Sequence, residues 1–189
     1  LDNTIVGYDR LFRDIAYDRG WLPKGFAGAK KELRDFLRSL PGGDASWMSL
    51  QAAAYGSRMR DAELIEGVGN FLRRCKSAHV AVSIVSHKTQ FAAADPGGVN
   101  LHGAAISWLE GHGFFSDSGF GVPRGRVFFE RTRTDKCRRI AAEDCTHFID
   151  DLEEVFLDPA FPNEIARYLF AASGDAETAG PFRVHRSWS

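Results

Sequence analysis

The sequence has 189 residues, of which 44% are hydrophobic and 26% are charged, and its formal net charge is −1 at neutral pH. This length and apolar content are enough for one substantial core with a small accessory lobe. The balanced charge argues against a nucleic-acid or anionic-membrane partner, so a small molecule is the better expectation.

The three cysteines, Cys75, Cys137 and Cys145, form an odd set without C-x-x-C spacing. Their odd number and their spacing argue against a disulfide framework and against a zinc site, and favour a reducing compartment. No apolar run approaches the roughly 18 residues of a membrane span, and no charged-then-apolar leader opens the sequence. We therefore expect a cytoplasmic protein that is a monomer or a small homo-oligomer.

Helical patterns dominate the first third of the chain. Apolar residues recur at helical spacing within residues 8–17, 29–40 and 46–59. The second stretch, "AKKELRDFLRSL", is followed by the helix-ending "PGG". Residues 7–60 are therefore predicted as a helical insert, and residues 1–6 and 61–189 as the core.

From residue 61 onward the pattern is a helix followed by a fully apolar strand, three times over. Helices are predicted at residues 61–75, 101–113 and 134–145, and strands at residues 79–87, 126–131 and 146–151. Such runs are typical of a buried parallel sheet. A last helix near "PNEIARYLF" (162–170) and late strands at residues 168–170 and 182–185 complete the predicted α/β fold, a doubly wound, mostly parallel sheet with helices on both faces.

Ligands of doubly wound sheets bind at the carboxyl ends of the strands. Ser86 and His87 end the first predicted strand, Lys136 follows the second, and the adjacent acids Asp150 and Asp151 end the third. Each has an alternative interpretation that the sequence leaves open. Ser86 could cap a helix, Lys136 could be a solvated lysine in a first helical turn, and the acid pair could form a turn or a cap. Two adjacent acids after a buried strand nevertheless repel each other unless a cation is near.

The ordered set "LDNTI", "IVSH", "TDK" and "FIDDLEEVF" resembles the four motifs of the haloacid dehalogenase (HAD) superfamily. The resemblance extends from Leu1 to about Phe170. It implies a Rossmann-like core with a helical cap at residues 7–60 that selects the substrate. It also implies a Mg²⁺-dependent phosphatase acting on a small phosphorylated metabolite, with no nucleic-acid or membrane partner.

The resemblance assigns roles to individual residues of this chain. Asp150 and the backbone carbonyl of Asp2 would bind Mg²⁺, and Lys136 would offset the negative charge. The Asp2 carboxyl would act as general acid and base on the leaving-group side. Phosphate contacts would come from Ser86, His87 and Lys136, while Thr4 and Asp151 would support the loop. His87 could equally be exposed, and Lys88, which follows it, could likewise face the phosphate or be exposed. The arginines of the third motif, Arg131 and Arg133, are either anion contacts or surface residues.

The family's nucleophile is an aspartate at the tip of the central strand, at the position immediately before Leu1. We therefore expect the polypeptide to extend upstream of Leu1 with an apolar strand that ends in this aspartate. Two alternatives stay open. A rearranged strand from "FRVHRSW" (182–188) could fill the sheet, or the protein could be a catalytically inactive relative that serves as a binding or regulatory module.

Overall fold

A computed structural model describes residues 1–95, 98–172 and 180–188 of the chain. These residues form a mixed α/β structure with two compact units. One unit comprises residues 1–6, 64–88 and 112–189, and the other comprises residues 7–63 and 89–111. The second unit thus contains a segment, residues 89–111, that the predicted domain boundaries assigned to the core.

The described residues contain seven α-helices and seven short strands. The helices are α1 Asp9–Asp18, α2 Lys30–Arg38, α3 Gly43–Tyr55, α4 Val68–Ser77, α5 Leu101–Gly111, α6 Arg133–Ala142 and α7 Glu153–Phe156. The strands are β1 Val6–Gly7, β2 Glu63–Leu64, β3 Ile84–His87, β4 Val127–Glu130, β5 His147–Asp150, β6 Ala166–Phe170 and β7 Arg183–His185. None of these helices has both the length and the apolar character that crossing a membrane requires.

The helical unit contains α1, α2, α3 and α5. Their apolar faces meet in a core that includes Phe12, Leu33, Leu50 and Trp108, each at most 2% exposed. The indole Nε1 of Trp108 donates a hydrogen bond of 2.9 Å to the carbonyl of Ala62, so its one polar atom is satisfied. The apolar spacing of the sequence predicted these helices correctly, because each has one buried face.

Parallel strand pairs organise the other unit. Strand β3 pairs with β4 from Ile84 opposite Val127 to His87 opposite Glu130. Strand β6 lies between β5 and β7 and is parallel to both. The prediction of one continuous sheet is wrong for the described residues, because no strand joins β3 to β5 there and the strands form two separate parallel sheets. The pair β1 and β2 forms a third, two-stranded sheet.

Buried apolar side chains hold α6 and α7 against the second parallel sheet. The cluster includes Ile140 of α6, Phe148 of β5, Phe156 of α7 and Leu169 of β6. All are less than 10% exposed. This packing fixes the positions of the first turn of α6 and the carboxyl end of β5, where the candidate site residues lie.

Four predicted elements need correction. The helix predicted at residues 61–75 begins only at Val68, because Leu64 is in β2 and Gly67 adopts a left-handed conformation (φ 87°) that ends the extended segment. The strand predicted at residues 79–87 is limited to β3. No helix forms at residues 162–165, where a turn leads into β6. The "FRVHRSW" segment forms β7, which confirms the strand predicted at residues 182–185, but this strand lies at the edge of a sheet beside β6 and not beside β3, so the alternative of a rearranged central strand is wrong for the described residues.

Candidate functional site

The N-terminal segment links the carboxyl ends of β3 and β5. Asp2 pairs with Lys88, which directly follows β3, and Thr4 donates a hydrogen bond of 3.0 Å to Asp151, which directly follows β5. The segment is itself a tight loop, because the carbonyl of Leu1 accepts hydrogen bonds from the amides of Ile5 and Val6. The site therefore gathers residues that are far apart in the sequence.

Lys136 and Asp150 form an ion pair between Nζ and Oδ2, with side chains that are 5% and 3% exposed. The other carboxylate oxygen, Oδ1, accepts a hydrogen bond of 3.2 Å from the amide of Leu152. Lys136 lies in the first turn of α6, and Thr132 caps that helix by accepting a hydrogen bond from the amide of Asp135. The cap and the buried pair together hold the ammonium at the end of β5.

Asp151 is held in place by the N-terminal loop. Its Oδ1 accepts a hydrogen bond from Thr4 and its Oδ2 accepts one of 3.2 Å from the side-chain amide of Asn3. Burial raises the pKa of the Asp151 carboxyl, and the neighbouring charge of Asp150 raises it further, while the Asn3 and Thr4 hydrogen bonds act in the opposite direction. Thr4 therefore contacts Asp151 directly, and the supporting role expected for these two residues stays a prediction.

Lys88, which the sequence left open between a phosphate contact and an exposed position, is buried in the site. Its Nζ lies 2.8 Å from Oδ2 of Asp2, and only 4% of its side chain is exposed. Its amide donates to the carbonyl of Glu130, so the pairing with β4 continues one residue beyond β3. The signal was present in the spacing, because Lys88 lies two residues after Ser86 and extended residues two apart share a face.

Ser86 and His87 lie on opposite faces of the end of β3. Ser86 is buried, on the same face as Lys88, whereas His87 is exposed. The Nε2 atom of His87 donates a hydrogen bond of 3.0 Å to the carbonyl of Arg131. Of the three predicted phosphate contacts, Ser86 and Lys136 are thus buried at strand or helix ends, and His87 is not.

The backbone nitrogen of Leu1 lies within this charged cluster. This nitrogen is buried, and it interacts electrostatically with the ammonium of Lys136 and with the carboxylates of Asp150, Asp2 and Asp151. All four charged side chains are therefore close enough to act on this one atom.

The two arginines of the third motif are exposed. Arg133 pairs with Asp158 at 3.2 Å, and the Asp158 carboxylate also accepts hydrogen bonds from Thr134 and from the amide of Ala160. These contacts lower the pKa of Asp158, with the Ala160 amide as the main cause. Arg133 therefore contributes to the start of α6 in this structure.

The oxygen atoms of the site fit a magnesium ion only with a small number of protein ligands, a coordination that this cation tolerates. Mg²⁺ often binds one or two carboxylates and retains several waters. Asp150 has lone pairs beyond those used by Lys136 and Leu152. The carbonyl of Asp2 accepts a long contact of 3.5 Å from the hydroxyl of Thr4. Within the described ranges, no group of three or more His, Cys, Asp or Glu side chains is arranged to hold a metal.

The cluster as described contains three carboxylates, Asp2, Asp150 and Asp151, and two ammonium groups, Lys88 and Lys136. Such a set of opposite charges can bind an anion together with a cation, because the ammonium groups neutralise the anion and the carboxylates neutralise the cation. Comparison with protein-family models, with curated proteins and with solved structures found no match for this chain.

Proposed function

We propose that the protein is a Mg²⁺-dependent phosphohydrolase that acts on a small phosphorylated metabolite through an aspartyl-phosphate. The observation that carries this proposal is the convergence of two lysine–aspartate pairs at the ends of β5 and β3. The pair Lys136–Asp150 is buried, and in the pair Lys88–Asp2 the lysine is buried and the aspartate partly exposed. The third carboxylate, Asp151, is fixed beside them.

A purely structural role explains this cluster less well than an anion site does. Buried ion pairs contribute little net stability, and apolar side chains of similar volume often do as well or better. Two lysine–aspartate pairs, of which Lys136–Asp150 is buried, and a further partly buried acid at the ends of β3 and β5 are therefore costly for the fold. An active site for phosphoryl transfer needs both carboxylates and ammonium groups. These charged side chains must be in position, with their charges balanced, before the substrate binds.

The proposed reaction uses an aspartate joined to the backbone nitrogen of Leu1 as the nucleophile. Its carboxylate attacks phosphorus while the bond to the leaving oxygen breaks, and the Asp2 carboxyl gives its proton to that oxygen. Asp2 then takes a proton from a water molecule, which attacks the phosphorus of the aspartyl-phosphate. Inorganic phosphate leaves and the nucleophilic carboxylate is restored.

The remaining groups bind the phosphate of the substrate and orient the reacting groups. The Lys136 ammonium neutralises the charge of the phosphate, and the Ser86 hydroxyl donates to one of its oxygens. Lys88 holds the Asp2 carboxyl in position. Asp150 and the carbonyl of Asp2 would bind Mg²⁺, which supplies charge neutralisation between the phosphate and the carboxylates. Substrate selection by the helical insert stays a prediction.

The test begins with an intact mass and N-terminal sequencing of the purified full-length polypeptide. Release of inorganic phosphate from p-nitrophenyl phosphate is then measured with and without Mg²⁺. We expect Mg²⁺-dependent release that falls by about 100-fold or more in Asp150→Asn, in the range that loss of one charged active-site group produces. The matched control is Asp117→Asn, which changes an exposed acid of the same unit and should leave the rate unchanged.

Two results would contradict the proposal. One is equal phosphate release by the wild type and Asp150→Asn at limiting Mg²⁺. The other is no release, from any of a panel of sugar, nucleotide and amino-acid phosphates, by a polypeptide that has an aspartate before Leu1. Ligand binding without turnover would instead favour the binding or regulatory module.

A further inference from the structure

We propose that Trp188 is a positioning residue for the proposed reaction, because its indole N–H holds the N-terminal loop through the backbone carbonyl of Thr4. The Nε1 atom of Trp188 donates a hydrogen bond of 3.0 Å to this carbonyl. The hydroxyl of the same threonine donates to Asp151, and Asp2 of the same loop pairs with Lys88. The inference rests on the proposed function, which makes this loop catalytic.

The N-terminal loop is closed by its own hydrogen bonds but needs support from outside. The amides of Ile5 and Val6 donate to the carbonyl of Leu1 at 2.8 and 3.1 Å. Asn3 adopts a left-handed conformation (φ 57°), which is uncommon for residues other than glycine. A turn that contains such a residue keeps its shape only where the surrounding structure holds it. Trp188 supplies one of these external contacts.

The Trp188 contact holds the loop backbone and uses none of the charged groups of the site. At the next residue, the amide of Ile65 donates to the carbonyl of Ile5 at 2.9 Å in the same manner. By contrast, the side chains at positions 2, 3 and 4 of the loop contact charged residues of the site. The indole N–H therefore positions the loop through its backbone and adds no charge to the site.

Three separate segments determine where the indole lies. The centroid of its ring is 4.9 Å from that of Phe71 in α4 and 5.6 Å from that of Phe170 in β6. A Cβ atom at Gly67 would lie 2.8 Å from the Cβ of Trp188, and the φ of Gly67 is 87°. Both the space and the backbone conformation therefore require glycine at this position.

Packing of the ring does not need the indole nitrogen. A phenylalanine would retain most of the apolar contact, but it would leave the carbonyl of Thr4, a residue that is 3% exposed, without this donor. Displacing a reacting group by about 1 Å can lower a reaction rate by about 100-fold. We therefore expect the indole N–H to affect proton transfer by Asp2 more than it affects the packing of the ring.

Two variants disturb the contact in different ways, and one control matches the backbone strain. Trp188→Phe retains an aromatic ring and removes the N–H group. Gly67→Ala retains the indole and places a Cβ atom against it. The control is Gly113→Ala in the same unit, which adds a side chain at a similar left-handed φ of 75° but meets no atom closer than 3.8 Å. All three are made in the full-length polypeptide.

Hydrogen exchange at the loop amides tests the position of the loop without any activity measurement. We expect the amides of Ile5 and Val6 to exchange faster, by about tenfold or more, in Trp188→Phe and Gly67→Ala than in the wild type. Gly113→Ala should leave both exchange rates within about twofold of the wild type.

The leaving group of the substrate separates the positioning of Asp2 from a general loss of folded protein. p-Nitrophenolate is a weaker base than phenolate, so its departure needs less help from a general acid. In Trp188→Phe and Gly67→Ala, kcat/KM with Mg²⁺ should fall by about tenfold or more for phenyl phosphate and by less than about threefold for p-nitrophenyl phosphate. A smaller folded fraction would lower both values equally, and Gly113→Ala should show no larger effect than that.

Two outcomes would overturn the inference. They are unchanged exchange of the Ile5 and Val6 amides in Trp188→Phe, and equal falls in kcat/KM for the two substrates. If Trp188→Phe does not fold, Gly67→Ala is compared with Gly113→Ala by the same measurements. A wild type that releases no phosphate would contradict the proposed function, and the exchange rates alone would then decide whether Trp188 holds the loop.

Discussion

Lys88 and Asp2 form an ion pair with Nζ 2.8 Å from Oδ2, in which the lysine side chain is 4% exposed and the aspartate side chain 21%. The pair ties the N-terminal loop to the end of β3. In the proposed reaction this ion pair sets the position of the Asp2 carboxyl, which transfers protons. The effect of the pair can therefore be measured both on the free energy of unfolding and on the rate of phosphate release.

Replacing Lys88 with Met should lower the free energy of unfolding by about 2 kcal/mol. Breaking a fully buried pair costs about 3–5 kcal/mol, and the partial exposure of Asp2 reduces this. A double-mutant cycle with Asp2→Asn, measured by urea unfolding, should give a coupling energy of about 1–2 kcal/mol. Lys31→Met, at an exposed position of α2, is the control and should change stability by less than about 0.5 kcal/mol. Additive effects of Lys88→Met and Asp2→Asn would show that the pair contributes nothing.

Replacing Lys136 with Met should lower the free energy of unfolding more than replacing Lys88 with Met does. Asp150 is 3% exposed, so its carboxylate would stay buried without its ammonium partner, and we expect a loss of about 3–5 kcal/mol. The double variant with Asp150→Asn should recover most of this loss, because the uncompensated charge is removed. Urea unfolding of the two single variants and the double variant measures the difference. A double variant less stable than Lys136→Met would contradict the argument.

The Thr132 cap should contribute to stability through its side-chain oxygen. Thr132→Ala removes the acceptor for the Asp135 amide and should lower the free energy of unfolding by about 1 kcal/mol. Thr132→Ser retains the hydroxyl and should stay within about 0.5 kcal/mol of the wild type. Equal losses in the two variants, measured by urea unfolding at neutral pH, would mean that the methyl group and not the cap is responsible.

Local patterns in the sequence were sufficient where each element is stabilised by its own buried face. Helices α1, α2 and α6 and strand β5 lie within or next to their predicted ranges for this reason. Strand β4 also matches its predicted range, although each of its residues is only half-buried. The predictions are wrong where the pairing partner of a segment determines its secondary structure. The apolar run after Pro162 is compatible with a helix or a strand, and its pairing with β5 selects the strand.

The site could be predicted only as far as strand ends could be recognised. Lys136, Asp150 and Asp151 follow strands that the apolar runs identify, and the structure brings them together with Asp2 and Thr4. The spacing from Ser86 indicates which face of the strand Lys88 shares, but its pairing with Asp2 could not be predicted, because charge pairing across a loop has no fixed spacing in sequence. His87 lies on the other face of β3, which depends on the register with β4 and not on composition.

Cys137 should make the protein less stable as the pH rises above neutrality. Burial is the main cause that raises the pKa of this thiol from 9.0 to about 11, and the charge of Asp158 adds to it. Between these two values the unfolded thiol loses its proton while the folded thiol retains it. The folded state then binds more protons, so the free energy of unfolding falls with rising pH.

The expected fall from this one group is about 2 kcal/mol across that interval, since one pKa unit corresponds to about 1.4 kcal/mol. Cys137→Ala should be less stable than the wild type at neutral pH, because it loses buried volume and the contact of 3.6 Å between Sγ and the carbonyl of Val155. Its stability should, however, decline less steeply between pH 9 and pH 11, so the two curves converge. Urea unfolding at several alkaline pH values measures the two slopes, and parallel curves would show that the thiol is not the group responsible.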